Sequence, residues 1–271
     1  MAVCLIAVDL EGVHGVVGEP NVGLLKTIPD YQKAVENATK EVNAVVAALA
    51  DLGVEDIWVW DNHGGQKNLD FSKVDSRAKD VNPPRDALTR MDFIKERGID
   101  KVFYIGYHAR EGSLNGVLAH TYSSVDIQYI KVNGKQIGEL EFDGWIAAEF
   151  GADSVFVASD EVCVGQVRDY DENVVRVTTK IGTGRNSAIF REPSMVLQEI
   201  YDGAKLSLQK EIHTKKLVFP CEVEMRFTRM EHTAVRYETM GKRLPQIHYG
   251  EDCHTLCATV NSIDELRVFL T

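Results

Sequence analysis

The sequence predicts an α/β fold made of two closely associated α/β domains, the first of which contains a largely parallel sheet. An apolar run at residues 5–8 reads as a buried strand, and a helix is predicted from Pro29 to about Leu52. A second strand is predicted at Asp56–Trp60 and a third at Lys101–Ile105. A strand–helix–strand order implies parallel strands.

The predicted domains divide the chain near its middle. The first spans about residues 1–120 and can include parts of 135–190, and the second spans 121–271. The reason for the division is that the order of elements becomes more mixed in the second half, so the two domains can also be interleaved along the chain.

Each element of the first half has a local reason in the sequence. Pro29-Asp30 begins the first helix, whose apolar residues recur at helical spacing, and Gly53 ends it. Residues 66–84 are polar and irregular, and a second helix is predicted from Arg85 to Arg97, ended by Gly98.

In the second half, alternating residues predict a strand at 125–132, and Asn133-Gly134 is a strong hairpin signal. A strand is also expected over Lys216–Phe227, at a sheet edge because it contains Pro220. The remaining predicted elements are a helix up to Phe150, strands at Ser154–Ala158 and Val174–Ile181, a helix at Pro193–Ile212, a helix at Glu231–Met240, strands near Ile247 and at Thr255–Val260, and a helix from Ser262.

Composition restricts the function classes. The chain has 271 residues and a formal net charge of −11, with acidic and basic residues interspersed, which argues against nucleic-acid and anionic-membrane partners. The first residues lack the pattern of a signal peptide, and no apolar stretch is long enough to span a bilayer. The five cysteines are scattered and odd in number, as expected of free thiols in a reducing compartment. We therefore expect a cytoplasmic protein.

Polar side chains follow each strand predicted in the first half. Asp9 and Glu11 come after the first strand, His63 after the second and His108 after the third. In open α/β sheets, ligands bind beyond the carboxyl ends of the parallel strands, so these side chains are expected to meet there. His120 lies in the loop after His108, and Glu139 is placed at a helix start, where the helix dipole alone would also favour it.

Mixed imidazole and carboxylate ligands suit zinc, with manganese or cobalt as alternatives, better than calcium. More ligands are present than one four-coordinate zinc needs, whereas a carboxylate that bridges two ions would use them all. Paired metals activate water and polarise the bond under attack. A histidine left uncoordinated could then move protons near neutral pH.

Five short motifs, in order and with similar spacing, resemble the zinc-dependent D-aminopeptidases of peptidase family M55. The motifs are residues 8–12 (VDLEG), 61–63 (DNH), 106–109 (GYHA), 116–120 (GVLAH) and 138–140 (GEL). The resemblance covers roughly the first two-thirds of the chain well.

The resemblance implies a centre of two zinc ions held by Asp9, Glu11, His63, His108 and Glu139, with Asp9 as the bridge. It also implies that His120 is the catalytic nucleophile or base. The implied activity is release of N-terminal D-amino acids such as D-Ala from short peptides, and the implied assembly is a ring-like homo-oligomer of pentamers, a pentamer or decamer.

Three alternatives remain open at this point. The substrate could be an L-peptide, because residues around the motifs, such as Ala119, depart from the family pattern. The chain could hydrolyse another amide or a phosphoester, for which Arg110 and Arg185 are the candidate phosphate ligands. It could also be a non-catalytic peptide-binding protein with a structural metal, in which case the metal site would be coordinatively closed.

Overall fold

Two β-sheets organise the computed structural model, which describes residues 2–84 and 86–270. In chain order the elements are β1 (Val3–Val8), α1 (Pro29–Asp51), β2 (Asp56–Asp61), β3 (Ala78–Asp80), α2 (Phe93–Arg97), β4 (Lys101–Ile105), β5 (Ile127–Val132), β6 (Lys135–Ile137), α3 (Glu139–Glu149), β7 (Asp153–Asp160), α4 (Glu161–Tyr170), β8 (Val175–Gly184), β9 (Ser187–Phe190), α5 (Pro193–Gln209), β10 (Cys221–Phe227), α6 (Met230–Gly241), β11 (His248–Tyr249), β12 (Thr255–Val260) and α7 (Ile263–Arg267).

The larger sheet has seven strands in the order β3-β2-β1-β4-β7-β8-β9. Its strands run parallel except for β9, which is antiparallel to β8. The predicted α/β fold with a largely parallel sheet is therefore confirmed. Because β1 lies between β2 and β4, the carboxyl ends of these three strands meet at one edge of the sheet.

Both faces of the larger sheet are covered, and the side chains of β1 alternate between the two cores. Ile6 packs in the core beneath α1 and α5, whereas Leu5 packs in the core shared with α3 and the smaller sheet. This is the period of two expected of an extended strand. Burying each such side chain contributes about 1.5–3 kcal/mol, so β1 is a rigid support for the residues that follow it.

The smaller sheet is antiparallel, with five strands in the order β11-β12-β10-β5-β6. Asn133 and Gly134 join β5 to β6 with φ values of 50° and 77°, which is the left-handed pair that a tight hairpin turn requires. The predicted hairpin is therefore correct. The larger sheet contains strands that precede this hairpin in the sequence, β1 to β4, and strands that follow it, β7 to β9. The division into domains near residue 120 remains a prediction.

Three expectations about individual elements are wrong. Residues 66–84 are not wholly irregular, because Ala78–Asp80 forms β3 at the edge of the larger sheet. The strand with Pro220 is not at an edge, because β10 lies between β12 and β5; Pro220 precedes its first paired residue, Cys221, and so removes no hydrogen bond from the sheet. The helix expected at residues 85–97 is a 3₁₀ turn at Ala87–Thr89 followed by α2, because Met91 has φ of 65° and interrupts it. Arg85 itself lies outside the described residues.

In the part of the chain that the structure describes, no helix is both long enough and apolar enough to cross a membrane.

Candidate metal centre

The residues predicted for the site lie together at the carboxyl edge of the larger sheet. Asp9 and Glu11 follow β1, His63 follows β2 and His108 follows β4. Glu139 is the first residue of α3, and its side chain is buried beside those of the strand ends. His120 reaches the same place from the loop that precedes β5.

Asp9, Glu11 and His63 form one group of potential ligands, with ligand atoms that lie within 4.8 Å of one another. The Nδ1 atom of His63 is 2.8 Å from Oδ1 of Asp9 and 3.1 Å from Oε2 of Glu11. The other carboxylate oxygen of Asp9, Oδ2, lies 3.6 Å from Nε2 of His108. Asp9 therefore stands between this group and a second one.

The second group consists of His108, His120 and Glu139. Oε1 of Glu139 lies 3.3 Å from Nε2 of His108 and 3.8 Å from Nε2 of His120. The two imidazole rings are stacked, with centroids 3.9 Å apart and an angle of 13° between their planes. By geometry alone, His120 can serve either as a metal ligand or as a base beside the metals.

The loops that carry Asp9, Glu11 and His108 approach so closely that only glycine fits between them. A Cβ atom on Gly12 would lie 1.9 Å from the carbonyl oxygen of Tyr107, and one on Gly106 would lie 2.1 Å from that of Asp9. Gly106 also has φ of 73°. The two glycines therefore allow the ends of β1 and β4 to place their side chains in one cluster.

Hydrogen bonds to the backbone orient the histidine rings and Glu139. Nδ1 of His108 lies 3.1 Å from the carbonyl oxygen of Ala109, and Nδ1 of His120 lies 2.8 Å from the carbonyl oxygen of Leu118. The backbone N–H of Tyr122 donates to Glu139 at 2.7 Å. An Nδ1–H that donates to a carbonyl leaves Nε2 as the basic nitrogen, the usual arrangement of a metal-binding or proton-accepting histidine.

Two atoms in the cluster are buried without a hydrogen-bond partner among the described residues. They are Oε2 of Glu11 and Nε2 of His108, which have charged neighbours but no hydrogen bond of acceptable geometry. Buried polar atoms without partners are costly, so such atoms call for an explanation. Carboxylate and imidazole donors fit one or two divalent cations such as zinc, which would bind both atoms.

The electrostatics of the cluster favour positive charge. Burial disfavours the charged form of His63, but the carboxylates of Glu11 and Asp9 outweigh burial and raise its pKa to about 11. In the same way Glu139 and Asp9 raise the pKa of His108 to about 10. Burial and the nearby charge of Glu11 raise the pKa of Asp9 to about 7. The three carboxylates of Asp9, Glu11 and Glu139 thus create a negative potential, which attracts a metal cation.

His120 behaves differently from the other histidines. Burial and the charge of His108 lower its pKa from the usual value, so its neutral form is favoured at neutral pH. A neutral imidazole with a basic Nε2 can accept a proton, as a general base must.

Lys180, on β8, is a supporting residue that sequence reasoning missed. Its buried ammonium group donates to the carbonyl oxygens of Glu11, Val13 and Val16 at 2.5–2.8 Å, and the neighbouring Thr179 donates to that of Gly12 at 2.6 Å. These bonds fix the loop that carries Glu11. No sequence pattern distinguished Lys180 from other polar residues of this strand, such as Arg176, Thr178 and Thr179.

Sequence reasoning also missed a polar network around Arg90, which we call the Arg90 network: Asn62, Arg90, Tyr107 and Asp143. Arg90 donates to both carboxylate oxygens of Asp143, at 2.6 and 2.7 Å, and to Oδ1 of Asn62 at 3.0 Å. The hydroxyl of Tyr107 donates to Asp143 at 2.7 Å. These residues are far apart in sequence, and no motif links them.

The two arginines considered as phosphate ligands and the cysteines near residue 255 are not part of the cluster. Arg110 donates to the backbone carbonyl of Gln136 and Arg185 to that of Ala119, and neither lines the cavity beside the cluster. Cys253, Cys257 and His254 do not belong to either group of potential ligands found among the described residues. All five cysteines are free thiols.

The cluster opens into a cavity of about 290 Å³. The lining contains apolar side chains and the polar groups of the cluster and of the Arg90 network. Its residues include Asp9, Glu11, Trp60, Asn62, His63, Pro83, Pro84, Arg90, Met91, His120, Tyr122 and Glu139. This volume, at the small end for ligand sites, suits a molecule the size of a short peptide.

Carboxylates and histidines gathered at the carboxyl ends of parallel strands, beside a small cavity, are typical of metal-dependent α/β enzymes. Comparison with known proteins gives the family. The sequence model of peptidase family M55, described as D-aminopeptidase, matches residues 1–267. The chain therefore belongs to this family and is an enzyme of the hydrolase class.

A sequence match and a structural match accompany this assignment. A D-aminopeptidase from Bacillus subtilis (strain 168) is 24% identical over 223 residues, which make up 79% of this chain and 77% of that protein. A solved structure of the Zn-dependent D-aminopeptidase DppA from Bacillus subtilis, a self-compartmentalizing protease, superposes with a TM-score of 0.86. It is 18% identical, and the match covers 98% of this chain and 95% of that one, which shows the shared fold.

Proposed function

We propose that this chain is a dinuclear zinc aminopeptidase that removes an N-terminal D-amino acid, such as D-Ala, from short peptides. The observation that carries the proposal is the position of Asp9, whose two carboxylate oxygens face His63 on one side and His108 on the other. A carboxylate in this position can bridge two cations. The name of the family and the small cavity support the peptide substrate.

The proposed ligands are Asp9, Glu11 and His63 for one ion and Asp9, His108 and Glu139 for the other. Bound zinc would supply Lewis-acid polarisation of the scissile carbonyl and lower the pKa of water. His120 would act as general base and carry a proton towards the leaving amine. Its lowered pKa, its hydrogen bond to Leu118 and its position against Glu139 support that role.

The two arginines on which the phosphoester alternative depended do not line the cavity. The two arginines considered as phosphate ligands donate to backbone carbonyls elsewhere. A non-catalytic peptide-binding role is disfavoured because the cluster holds more potential ligands than one closed metal site needs, with His120 as an additional base.

We further propose that the chain acts as a ring-like homo-oligomer, a pentamer or a decamer. The relative described as self-compartmentalizing supports this, and large apolar side chains are exposed at Leu114, Val125, Val218 and Val235. Light scattering should give a mass about five or ten times the 30.3 kDa of one chain. A monomer at micromolar concentration would contradict the proposal.

Hydrolysis assays test the activity. The zinc-loaded protein should release p-nitroaniline from D-Ala p-nitroanilide and D-Ala from D-Ala dipeptides. Chelation should abolish both activities, and added zinc should restore them. Faster cleavage of the L-Ala substrates would overturn the stereochemical part alone, whereas activity that survives complete metal removal would overturn the mechanism.

A further inference from the structure

Arg90 stands out in the cavity because it is a cation among acidic groups. Among the described lining residues it is the only lysine or arginine, and it shares the cavity with Asp9, Glu11 and Glu139. Burial disfavours its charged form, but the charge of Asp143 outweighs burial and keeps its pKa well above the usual value. A permanent positive charge is therefore present beside the candidate metal centre.

The guanidinium group of Arg90 is held in one orientation. Asp143 is completely buried and takes two of its hydrogen bonds, and Asn62 takes a third. The guanidinium carbon lies 5.0 Å from the ring centroid of Trp60 and 5.5 Å from that of Tyr122. Such a fixed group can bind a ligand with little loss of side-chain entropy.

One nitrogen of Arg90 remains available. Nε and Nη2 make all the hydrogen bonds described above, and Nη1 makes none with a described residue. The Arg90 side chain keeps 14% of its surface exposed. Since Arg90 lines the cavity, its two Nη1 hydrogens are accessible to a bound molecule there.

We propose that Arg90 forms a subsite for the C-terminal carboxylate of a dipeptide substrate. Arginine forms strong, charge-assisted hydrogen bonds with carboxylates. A cavity of about 290 Å³ holds on the order of ten water-sized positions, which matches a dipeptide of small residues. The carboxylate at one end and the scissile bond at the metals would then set the length of the substrate. This inference rests on the proposed peptidase function.

The wild-type enzyme provides the first test. Zinc-loaded protein is assayed with D-Ala-D-Ala and with the same dipeptide as its C-terminal amide, which removes the negative charge and keeps the scissile bond. We expect kcat/KM to be about ten- to a hundredfold lower for the amide, mainly through KM. Binding of the non-hydrolysable reduced-amide analogues, as acid and as amide, is measured by calorimetry and should show the same preference.

A charge-neutral double variant tests whether Arg90 is the group responsible. Arg90→Gln with Asp143→Asn replaces the ion pair by two amides that can still hydrogen-bond, which avoids an isolated buried charge. The ratio of kcat/KM for the acid to kcat/KM for the amide should fall to about one. The matched control, Arg226→Gln with Asp252→Asn, removes an ion pair of 2.6 Å on the smaller sheet and should keep the full preference. Arg90→Lys is a second variant. Its single ammonium group would pair with Asp143 and leave no donor for the substrate, so this variant should also lose the preference for the acid.

The outcomes separate the two proposals. Equal cleavage and equal binding of acid and amide by the wild type would overturn the carboxylate subsite and leave the peptidase function intact. A preference that persists in a folded Arg90 variant would show that another group binds the carboxylate, which also overturns the proposal. If neither dipeptide nor any other aminopeptidase substrate is cleaved by zinc-loaded protein, the proposed function itself fails.

Discussion

Two buried charged regions lie beside the same cavity, and they differ in how completely their buried polar atoms are hydrogen-bonded. In the Arg90 network, Asp143 accepts hydrogen bonds from Arg90 and Tyr107 and has no exposed surface. In the cluster of carboxylates and histidines, Oε2 of Glu11 and Nε2 of His108 have no hydrogen-bond partner within residues 2–84 and 86–270. The comparison teaches that a satisfied network fixes the shape of a site, while unsatisfied buried atoms indicate where a ligand binds.

The largest expected effect comes from Asp9, which lies between the two groups of potential ligands. Asp9→Ala removes both oxygens of the proposed bridge, so we expect zinc content to fall below one ion per chain and activity to become undetectable. Metal analysis of the dialysed protein checks this prediction. An Asp9→Ala protein that keeps full zinc content and activity would show that Asp9 does not bridge.

The variant His120→Ala shows whether His120 is a catalytic base or a metal ligand. If His120 is the base, kcat should fall by about 10²–10⁴-fold while zinc content stays at the wild-type level. Steady-state kinetics and metal analysis of the same preparation measure both quantities. Loss of one zinc ion together with the activity would make His120 a ligand.

Breaking the ion pair of the Arg90 network should also lower the stability of the fold. Asp143→Ala leaves the Arg90 guanidinium buried without its partner, and breaking such a pair costs about 3–5 kcal/mol in the free energy of unfolding. Denaturant unfolding of the metal-free protein measures this cost. A loss below about 1 kcal/mol would contradict a stabilising role for the ion pair between Arg90 and Asp143.

The smallest effect concerns a buried acid outside both regions. Glu41, on α1, accepts a hydrogen bond from the backbone of His14 at 2.8 Å, and burial raises its pKa from 4.5 to about 8 despite that bond and the charge of Lys180. Between these two pH values the folded state binds more protons than the unfolded state, so this residue lowers the free energy of unfolding as pH rises.

Glu41→Gln should therefore match the wild type near pH 4.5 and become more stable than it by a few kcal/mol near pH 8. Denaturant unfolding at several pH values from 4.5 to 8 compares the two proteins. A stability difference that does not change with pH across that range would contradict the raised pKa of Glu41.

Sequence reasoning reached the fold and the location of the site for a physical reason. Strand periodicity and the helix beginning at Pro29 are local signals, and the convergence of Asp9, His63 and His108 follows from the rule that parallel strands end at one edge. These residues needed only the order of the elements to be placed together. Their roles as zinc ligands remain a prediction.

The rest depended on contacts that no local pattern encodes. Arg90 meets Asn62 and Asp143 from 28 and 53 residues away, and Lys180 meets Glu11 from 169 residues away. The interruption at Met91 and the central position of β10 are likewise set by tertiary packing. Propensity and spacing describe neighbours in the chain, whereas these features concern neighbours in space.

The measurement that tests the central claim most directly is the zinc content of the purified, dialysed protein, determined by elemental analysis and by native mass spectrometry. The account predicts two zinc ions per chain. It also predicts that both ions are lost on chelation, together with hydrolysis of D-Ala substrates. A protein that retains no zinc after saturation and dialysis, or that hydrolyses D-Ala peptides at full rate without metal, would contradict it.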